Sequence, residues 1–352
     1  MIKKIILLIF LIIIWLFLYK ICKIESFNNY KSLTVTLTSD TINPKIISTF
    51  EKNSLYYEYG NTLSKLFPLN VISSSGSVEN IHNLVNNKAQ IILTQENVVL
   101  KYINKYPFLR YIYAPFNEKS FLVSNPVFKI NSWKDLKGKT VCFGNKDSGS
   151  CFDALTLCKL INIDKSQLNI IYGDISDKYI QKLVNNNTIG AFYFTGEDPY
   201  QILIDITKNK TLNIIGSRGL PHDLVSATFP TWKKSSIILS NYNLPKKFNV
   251  IPCYSLRTVL ITTKYQNYNS IYRFLDTLIK NRLDIHSSIK NNTYKLVLDR
   301  FSFQKSFSNH PVIPLHKAVY DYYKDIGLIS TNPSIKCIHF AGSGECNLDF
   351  VH

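Results

Sequence analysis

The chain contains few acidic residues, with 24 Asp and Glu against 41 Lys and Arg, and its formal net charge is +17 over 352 residues. The basic residues are scattered rather than gathered on one helix face. Zinc-finger spacing and the aromatic motif of RNA-binding strands are both missing. The charge therefore favours an anionic ligand or surface, and we predict no nucleic-acid partner. Wholesale disorder is also disfavoured, because 45% of the residues are hydrophobic and 13% are aromatic.

Motifs of common hydrolases and nucleotide-binding enzymes are missing as well. There is no Gly-x-Ser-x-Gly elbow, no His-Glu-x-x-His and no arrangement of paired carboxylates that stands out. Gly138-Lys-Thr140 lacks the upstream glycine of a P-loop. A C-terminal Cys/His group fits no standard zinc spacing: Cys337, His339, Cys346 and His352. We therefore predict a protein that is not an enzyme and has no cofactor and no resident metal.

A long apolar run occurs only at the N-terminus. Residues 5–19 are uncharged and apolar, and lysines lie on both sides of them, as in a signal peptide or signal anchor. No small-x-small cleavage site follows, which favours an uncleaved transmembrane anchor within residues 1–30. The rest of the chain is then expected on one side of the membrane. An exported chain permits disulfides, and Cys337–Cys346 is a candidate local pair.

The remaining sequence alternates short apolar strands with amphipathic helices. Strands are predicted at 33–37, 71–72, 89–94, 111–114, 120–124, 140–144, 169–172, 189–194 and 254–262. Helices are predicted at 56–67, 177–184, 271–280 and 318–326, after residues 77 and 150, and after Pro199. This alternation predicts an α/β fold with largely parallel sheets, in which ligands bind at the carboxyl ends of strands.

Two Ser/Gly loops begin helices in this pattern, at residues 73–80 and 147–153. The start of a helix has unpaired backbone N–H groups and a partial positive charge, so it receives anions. Serine adds further donors, and glycine lets a ligand approach the backbone closely. We predict that the two loops face each other across a ligand. The alternative is that they are ordinary capped helix starts, with Ser77 and Ser150 as the capping residues.

Taken in order, these segments resemble the TAXI family of TRAP-transporter solute-binding proteins over roughly residues 33–328. In the first third of the chain, the resemblance is carried by Tyr56-Tyr57-x-x-Gly60, by residues 75–80 together with Gln95, and by Leu109-Arg110 together with Glu118. In the middle it is carried by residues 135–139 followed by residues 148–150, and by Thr195-Gly196 followed by Pro199. Towards the C-terminus it is carried by residues 314–316, Tyr322-Tyr323 and Gly327. It implies a bilobed type II periplasmic-binding-protein-like fold, with two mostly parallel sheets flanked by helices, preceded by one N-terminal transmembrane or signal helix. The chain departs from the family at residues 40–54, which lack the usual glycines, and in its tail.

The resemblance also implies a domain order and a function. Lobe 1 would comprise residues 31–125 and 256–330, lobe 2 residues 126–255, and the C-terminal tail residues 331–352. The lobes would close on a small anionic organic solute, similar to glutamate or 2-oxoglutarate, in an extracytoplasmic receptor that serves a multi-span TRAP permease. A membrane-tethered sensor or interaction module without transport coupling is the alternative, and an enzyme on the same fold is the weaker one.

The residues expected to bind this solute come from the two loops and the neighbouring strand ends. They are Tyr57, Ser75, Gly76, Ser77, Gln95, Ser148, Gly149, Ser150 and Thr195. Serine and glutamine would hydrogen-bond a carboxylate, and Tyr57 would pack along the body of the ligand. Structural roles are the alternatives: Gln95 could pair with backbone groups at the strand end, and Tyr57 could belong to the core. We expect Arg110 to pair with Glu118 rather than to clamp an anion.

Overall fold

The computed structural model describes residues 44–52, 54–174, 177–209, 211–242, 250–289 and 312–328. The predicted anchor over residues 1–30, the predicted strand at 33–37 and the tail from residue 331 lie outside these ranges, together with Cys337 and Cys346. Within the described ranges, no helix is both long enough and apolar enough to cross a membrane.

Strands and helices alternate along the described residues, as predicted. The strands are β1 (Ile46–Ser48), β2 (Asn70–Ile72), β3 (Ile91–Gln95), β4 (Leu109–Ser124), β5 (Thr140–Cys142), β6 (Asn169–Ile171), β7 (Ala191–Gly196), β8 (Asn213–Ile214), β9 (Lys233–Ile238) and β10 (Val250–Thr263). The helices are α1 (Leu55–Leu66), α2 (Ser77–Val85), α3 (Glu96–Tyr102), α4 (Gly149–Leu160), α5 (Lys178–Asn185), α6 (Gln201–Asn209), α7 (His222–Thr228), α8 (Tyr268–Lys280), α9 (Arg282–Ser288) and α10 (Lys317–Asp325). The α/β prediction is confirmed.

The strands form one continuous mixed sheet rather than the two separate sheets that we expected. Its order is β2-β1-β3-β10-β4-β7-β5-β6, with β8 beside β4 and β9 beside β10. Strands β1, β2 and β3 pair in parallel at one end, and β5, β6 and β7 do so at the other. The long strands β4 and β10 are antiparallel to each other and to their neighbours. Because these two strands continue from one end to the other, they join the two halves of the protein.

Strand β4 is one element of 16 residues where the sequence predicted two short strands. Pro115 lies between the two predicted strands. In the structure the pairing with β10 shifts register at this point, between Thr258 and Leu260. A register shift of this kind is where a central strand accommodates a proline, which has no N–H to donate.

Each half of the sheet has helices on both faces, which defines two lobes. In the first lobe, Ile91 and Leu93 of β3 pack with α1, α8 and α10, whereas Ile92 packs with α2 and α3 on the opposite face. Successive strand residues point to opposite faces, so a strand that is buried on both sides has no polar alternation. The second lobe packs α4 and α7 on one face and α5 and α6 on the other. The lobe boundaries at residues 125 and 255 stay a prediction.

Candidate functional site

A cavity of about 60 Å³ lies between the lobes, at the carboxyl ends of β3 and β7 and the N-termini of α2 and α4. A volume of this size holds roughly four to six water molecules. Seven of the nine predicted binding residues line it: Gly76, Ser77, Gln95, Ser148, Gly149, Ser150 and Thr195. The Ser/Gly loops and strand ends singled out in the sequence are therefore brought together in space.

The other two predicted residues, Tyr57 and Ser75, are not among the residues that line the cavity. Consecutive side chains on a helix point about 100° apart, and in α1 the cavity is lined by the preceding residue, Tyr56, instead of Tyr57. The backbone N–H and the hydroxyl of Ser75 both donate to Glu79 Oε2, at 2.8 and 2.5 Å. Ser75 therefore stabilises the first turn of α2, and we leave both residues out of the site.

Polar side chains from both lobes meet at the centre of the cleft. Gln95 Nε2 donates to Thr195 Oγ1 at 2.6 Å across the cleft. Thr195 in turn contacts Ser150 twice: its hydroxyl lies 3.0 Å from Ser150 Oγ, and its backbone N–H donates to the same atom at 3.0 Å. Ser77 Oγ accepts from the backbone N–H of Gln95 at 3.1 Å. Gln95 Oε1 is buried and has no hydrogen-bond partner.

The two Ser/Gly loops touch each other directly, which differs from the predicted arrangement around an anion. The backbone N–H groups of Val78 and Glu79, at the start of α2, donate to the carbonyl oxygen of Asp147 in the second loop, at 3.1 and 3.3 Å. The first helix N-terminus is thus occupied by a protein carbonyl. The capping residues differ too: Ser148, not Ser150, caps α4 by accepting from Cys151 N at 3.1 Å, and Ser77 is the first residue of α2 and makes no capping bond.

Four carboxyl groups line the cavity, namely those of Glu51, Glu118, Asp174 and Glu197, and the exposed Lys52 is the single basic residue among the lining residues. Glu118 Oε2 accepts from Tyr56 Oη at 2.8 Å and from Thr258 Oγ1 at 3.2 Å. Burial raises the pKa of Glu118 to about 7. Where these carboxyl groups are ionised they repel an anion, so the charge of the cleft depends on pH, and the glutamate- or 2-oxoglutarate-like ligand stays a prediction.

Glu197 is the residue that the sequence reasoning missed. It follows β7 directly and is 4% exposed, and its Oε1 atom has no hydrogen-bond partner. Burial, followed by the nearby charges of Glu118, Asp174 and Asp198, raises the pKa of Glu197 to about 8. A carboxylate two residues after Thr195, at the end of a buried strand, was the available signal.

The expected pairing of Arg110 with Glu118 is also not found: Arg110 Nη1 donates to the carbonyl oxygens of Pro107 and Leu109.

The raised pKa of Glu197 makes a prediction about stability. The folded chain holds a proton on this carboxyl that the unfolded chain, with a pKa near 4.5, has already lost. The free energy of unfolding should therefore fall as the pH rises from about 4.5 to about 8. Glu197→Gln should remove this contribution, on the order of 3 kcal/mol. Tm measured at about pH 5.5, 7 and 8.5 checks this, with the exposed-residue variant Asp205→Asn as the control. An unchanged pH slope in Glu197→Gln would contradict it.

The fold and the cleft define a two-lobed α/β protein with a small polar cavity between its lobes. Residues 47–327 match the sequence model of the NMT1-like family, so the chain belongs to that family. No curated protein matches the sequence.

Three solved structures show what the chain is similar to in shape. The P235GK mutant of the arginine-binding protein ArgBP from T. maritima has 11% identity, covers 75% of this chain and 95% of its own, and has a TM-score of 0.43. The alkanesulfonate-binding protein SsuA from Xanthomonas axonopodis pv. citri has 10% identity, covers 81% and 94%, and has a TM-score of 0.41. The GluR0 ligand-binding core from Nostoc punctiforme has 14% identity, covers 74% and 100%, and has a TM-score of 0.41.

Proposed function

We propose that this protein is a solute-binding receptor that captures one small molecule between its two lobes and presents it to a membrane permease. One observation carries the proposal: the cavity lies where the lobes meet, and two of its buried oxygen atoms, Gln95 Oε1 and Glu197 Oε1, have no partner. A buried polar atom without a partner costs about 1–3 kcal/mol, which a bound molecule that donates hydrogen bonds would recover.

Binding would act by shifting the position of the lobes. The long strands β4 and β10 are shared by both lobes and form the connection about which the lobes open and close. Gln95 contacts Thr195 across the cleft, and Asn97 Nδ2 donates to Asp153 Oδ1 at 2.6 Å, so the closed form is held by bonds between the lobes. A ligand that adds further contacts in the closed form shifts the population towards it.

The finer assignment rests on the resemblance to the TAXI family. It supports an extracytoplasmic receptor of the TRAP type, periplasmic in a bacterium, that is tethered by its N-terminus and works with a multi-span permease rather than as an enzyme. The direct contact between the two Ser/Gly loops favours a second candidate, a membrane-tethered sensor or interaction module. Such a module would be able to close without a transported solute.

The receptor function predicts stabilisation by one class of small molecule. We expect one member of a panel of amino acids, amines, dicarboxylates and 2-oxo acids to raise the stability of the full-length chain by about 2.7 kcal/mol at a hundredfold excess over Kd. The rise in Tm should be about 4 °C and should be lost in Gln95→Ala. Gln181→Ala in α5, outside the cavity lining, is the matched control and should keep it. A panel without any shift would contradict the receptor function.

A further inference from the structure

Two carboxyl groups lie side by side in the cavity because of the strand register. Strands β4 and β7 pair antiparallel, with Lys119 opposite Gly196 and Ser120 opposite Thr195. Continuing that register by one residue places Glu118 opposite Glu197. Residues directly opposite each other in antiparallel strands have Cβ atoms roughly 4.5–5.5 Å apart and share one face. Both carboxyl groups therefore lie on the face of Thr195 and line the same cavity.

The basic residues near this pair are already engaged with other acidic groups. Lys119 points to the opposite face of β4, where its Nζ atom contacts Asp198 Oδ2 at 2.6 Å. The Arg257 guanidinium contacts both carboxylate oxygens of Glu96. Lys52 is exposed. Glu51, which accepts from Asn145 Nδ2, and Asp174 add negative charge to the same cavity. The described residues thus bring no basic side chain between Glu118 and Glu197.

The hydrogen bonds of the pair are also incomplete. Glu118 Oε2 accepts hydrogen bonds from the hydroxyl groups of Tyr56 and Thr258. By contrast, Glu197 Oε1 and Gln95 Oε1 have no donor, although Glu197 is only 4% exposed and Gln95 only 3%. Gln95 Oε1 is an acceptor, and the carboxylates of Glu118 and Glu197 are acceptors only when ionised, so the complement that fits the ionised site is a donor with positive charge.

We infer that the cavity binds the protonated amine or guanidinium group of a small solute, which lies between Glu118 and Glu197 and donates a further hydrogen bond to Gln95 Oε1. This inference rests on the proposed receptor function and names its ligand class. The cavity volume of about 60 Å³ suits a small solute, of the size of ethanolamine, alanine or guanidinium. A metal ion is a poorer fit, because the described residues hold no cluster of three or more metal-binding side chains.

The inference makes the binding constant depend on pH in a defined direction. Burial raises the pKa of Glu118 to about 7 and that of Glu197 to about 8. A cation binds the ionised carboxylates, so protons must leave as it binds, and its affinity should rise between about pH 6 and about pH 8.5. An anionic solute would show the opposite dependence. The other titratable or charged groups around the pair are Glu51, Lys52, Asp153, Asp174, Asp198 and Lys119, with the Glu96–Arg257 pair behind them.

The test compares small cationic or zwitterionic probes with anionic probes on the full-length chain. Ethylammonium, ethanolamine, guanidinium and alanine are compared with propionate, succinate and 2-oxoglutarate by thermal shift and by calorimetry. At least one of the cationic or zwitterionic probes should raise Tm and bind about tenfold more tightly at pH 8.5 than at pH 6. Glu118→Gln and Glu197→Gln should each weaken that binding about tenfold or more. Asp205→Asn, outside the cavity, should leave it unchanged.

The outcomes separate the two proposals. Stabilisation by carboxylates alone would overturn the cationic ligand and keep the receptor. A rise in Tm with Mg²⁺ or Ca²⁺ alone would also overturn the cationic ligand. The absence of any shift would overturn the receptor function itself. If either glutamine variant fails to fold, the pH dependence of ligand binding by the unmodified chain still tests the inference. A cation gains affinity as the carboxyl groups ionise, whereas an anion loses it.

Discussion

Gly149→Ala is expected to hold the two lobes apart and to weaken ligand binding about tenfold to a hundredfold. Gly149 is the first residue of α4, and a Cβ atom at this position would lie 2.0 Å from Gln95 Oε1 and 2.4 Å from Gln95 Cδ, on the other side of the cleft. The whole amide group of Gln95 would have to leave its place. It would then lose the bond from its Nε2 atom to Thr195 Oγ1.

The second lobe itself should tolerate this substitution. The φ angle of Gly149 is not in the left-handed region, and alanine favours a helix over glycine by up to about 1 kcal/mol. Tm without ligand should therefore change little, whereas small-angle X-ray scattering should show a larger radius of gyration. In the double variant Gly149→Ala/Gln95→Ala the clash disappears, and the radius of gyration should return to that of the unmodified chain. A single variant as compact as the unmodified chain would show that the lobes do not close through this contact.

Local patterns in the sequence were sufficient to predict most helices and the α/β class. In α2, the apolar residues Val78, Ile81 and Leu84 are spaced by three, and all of them are buried in the structure. Gln95 and Thr195 were identified as strand-end residues near a ligand, and the structure places both at the cavity. The helix and strand-end predictions succeeded because helix periodicity, and the position of a side chain at a strand end, are properties of a few consecutive residues, whereas ligand binding by Gln95 and Thr195 stays a prediction.

The features that the sequence did not reveal depend on pairing between distant segments. The contact of Glu118 with Tyr56 and its place near Glu197 follow from the register of β4 with β10 and β7, which local sequence patterns do not show. The charge of the cavity depends on where each acidic residue lies. The chain as a whole carries a net charge of +17, but of the five Asp, Glu and Lys residues that line the cleft, four are acidic. Net charge is therefore no guide to the charge of the cleft, and the anionic ligand stays a prediction.

A buried ion pair should give the largest loss of stability on substitution. Glu96, the first residue of α3, is 1% exposed, and Arg257 of β10 is 5% exposed; Arg257 Nε donates to Glu96 Oε2 at 3.0 Å, and its Nη2 atom contacts Oε1. Arg257→Met leaves the Glu96 carboxyl buried without this partner, which should cost about 3–5 kcal/mol of unfolding free energy. In a protein of this size, Tm should fall by about 4–7 °C.

Two further variants distinguish the buried charge from lost packing. Lys280→Met breaks the pair with Asp276 on the surface of α8, where Lys280 is 58% exposed, and should cost less than about 1 kcal/mol. Arg257→Met/Glu96→Met removes both charges and should recover most of the stability, because a matched apolar pair carries no desolvation cost. Equal Tm values for Arg257→Met and Lys280→Met would contradict the prediction. The pair joins β10 to the start of α3, directly after Gln95, so its loss should also weaken ligand binding even where the chain remains folded.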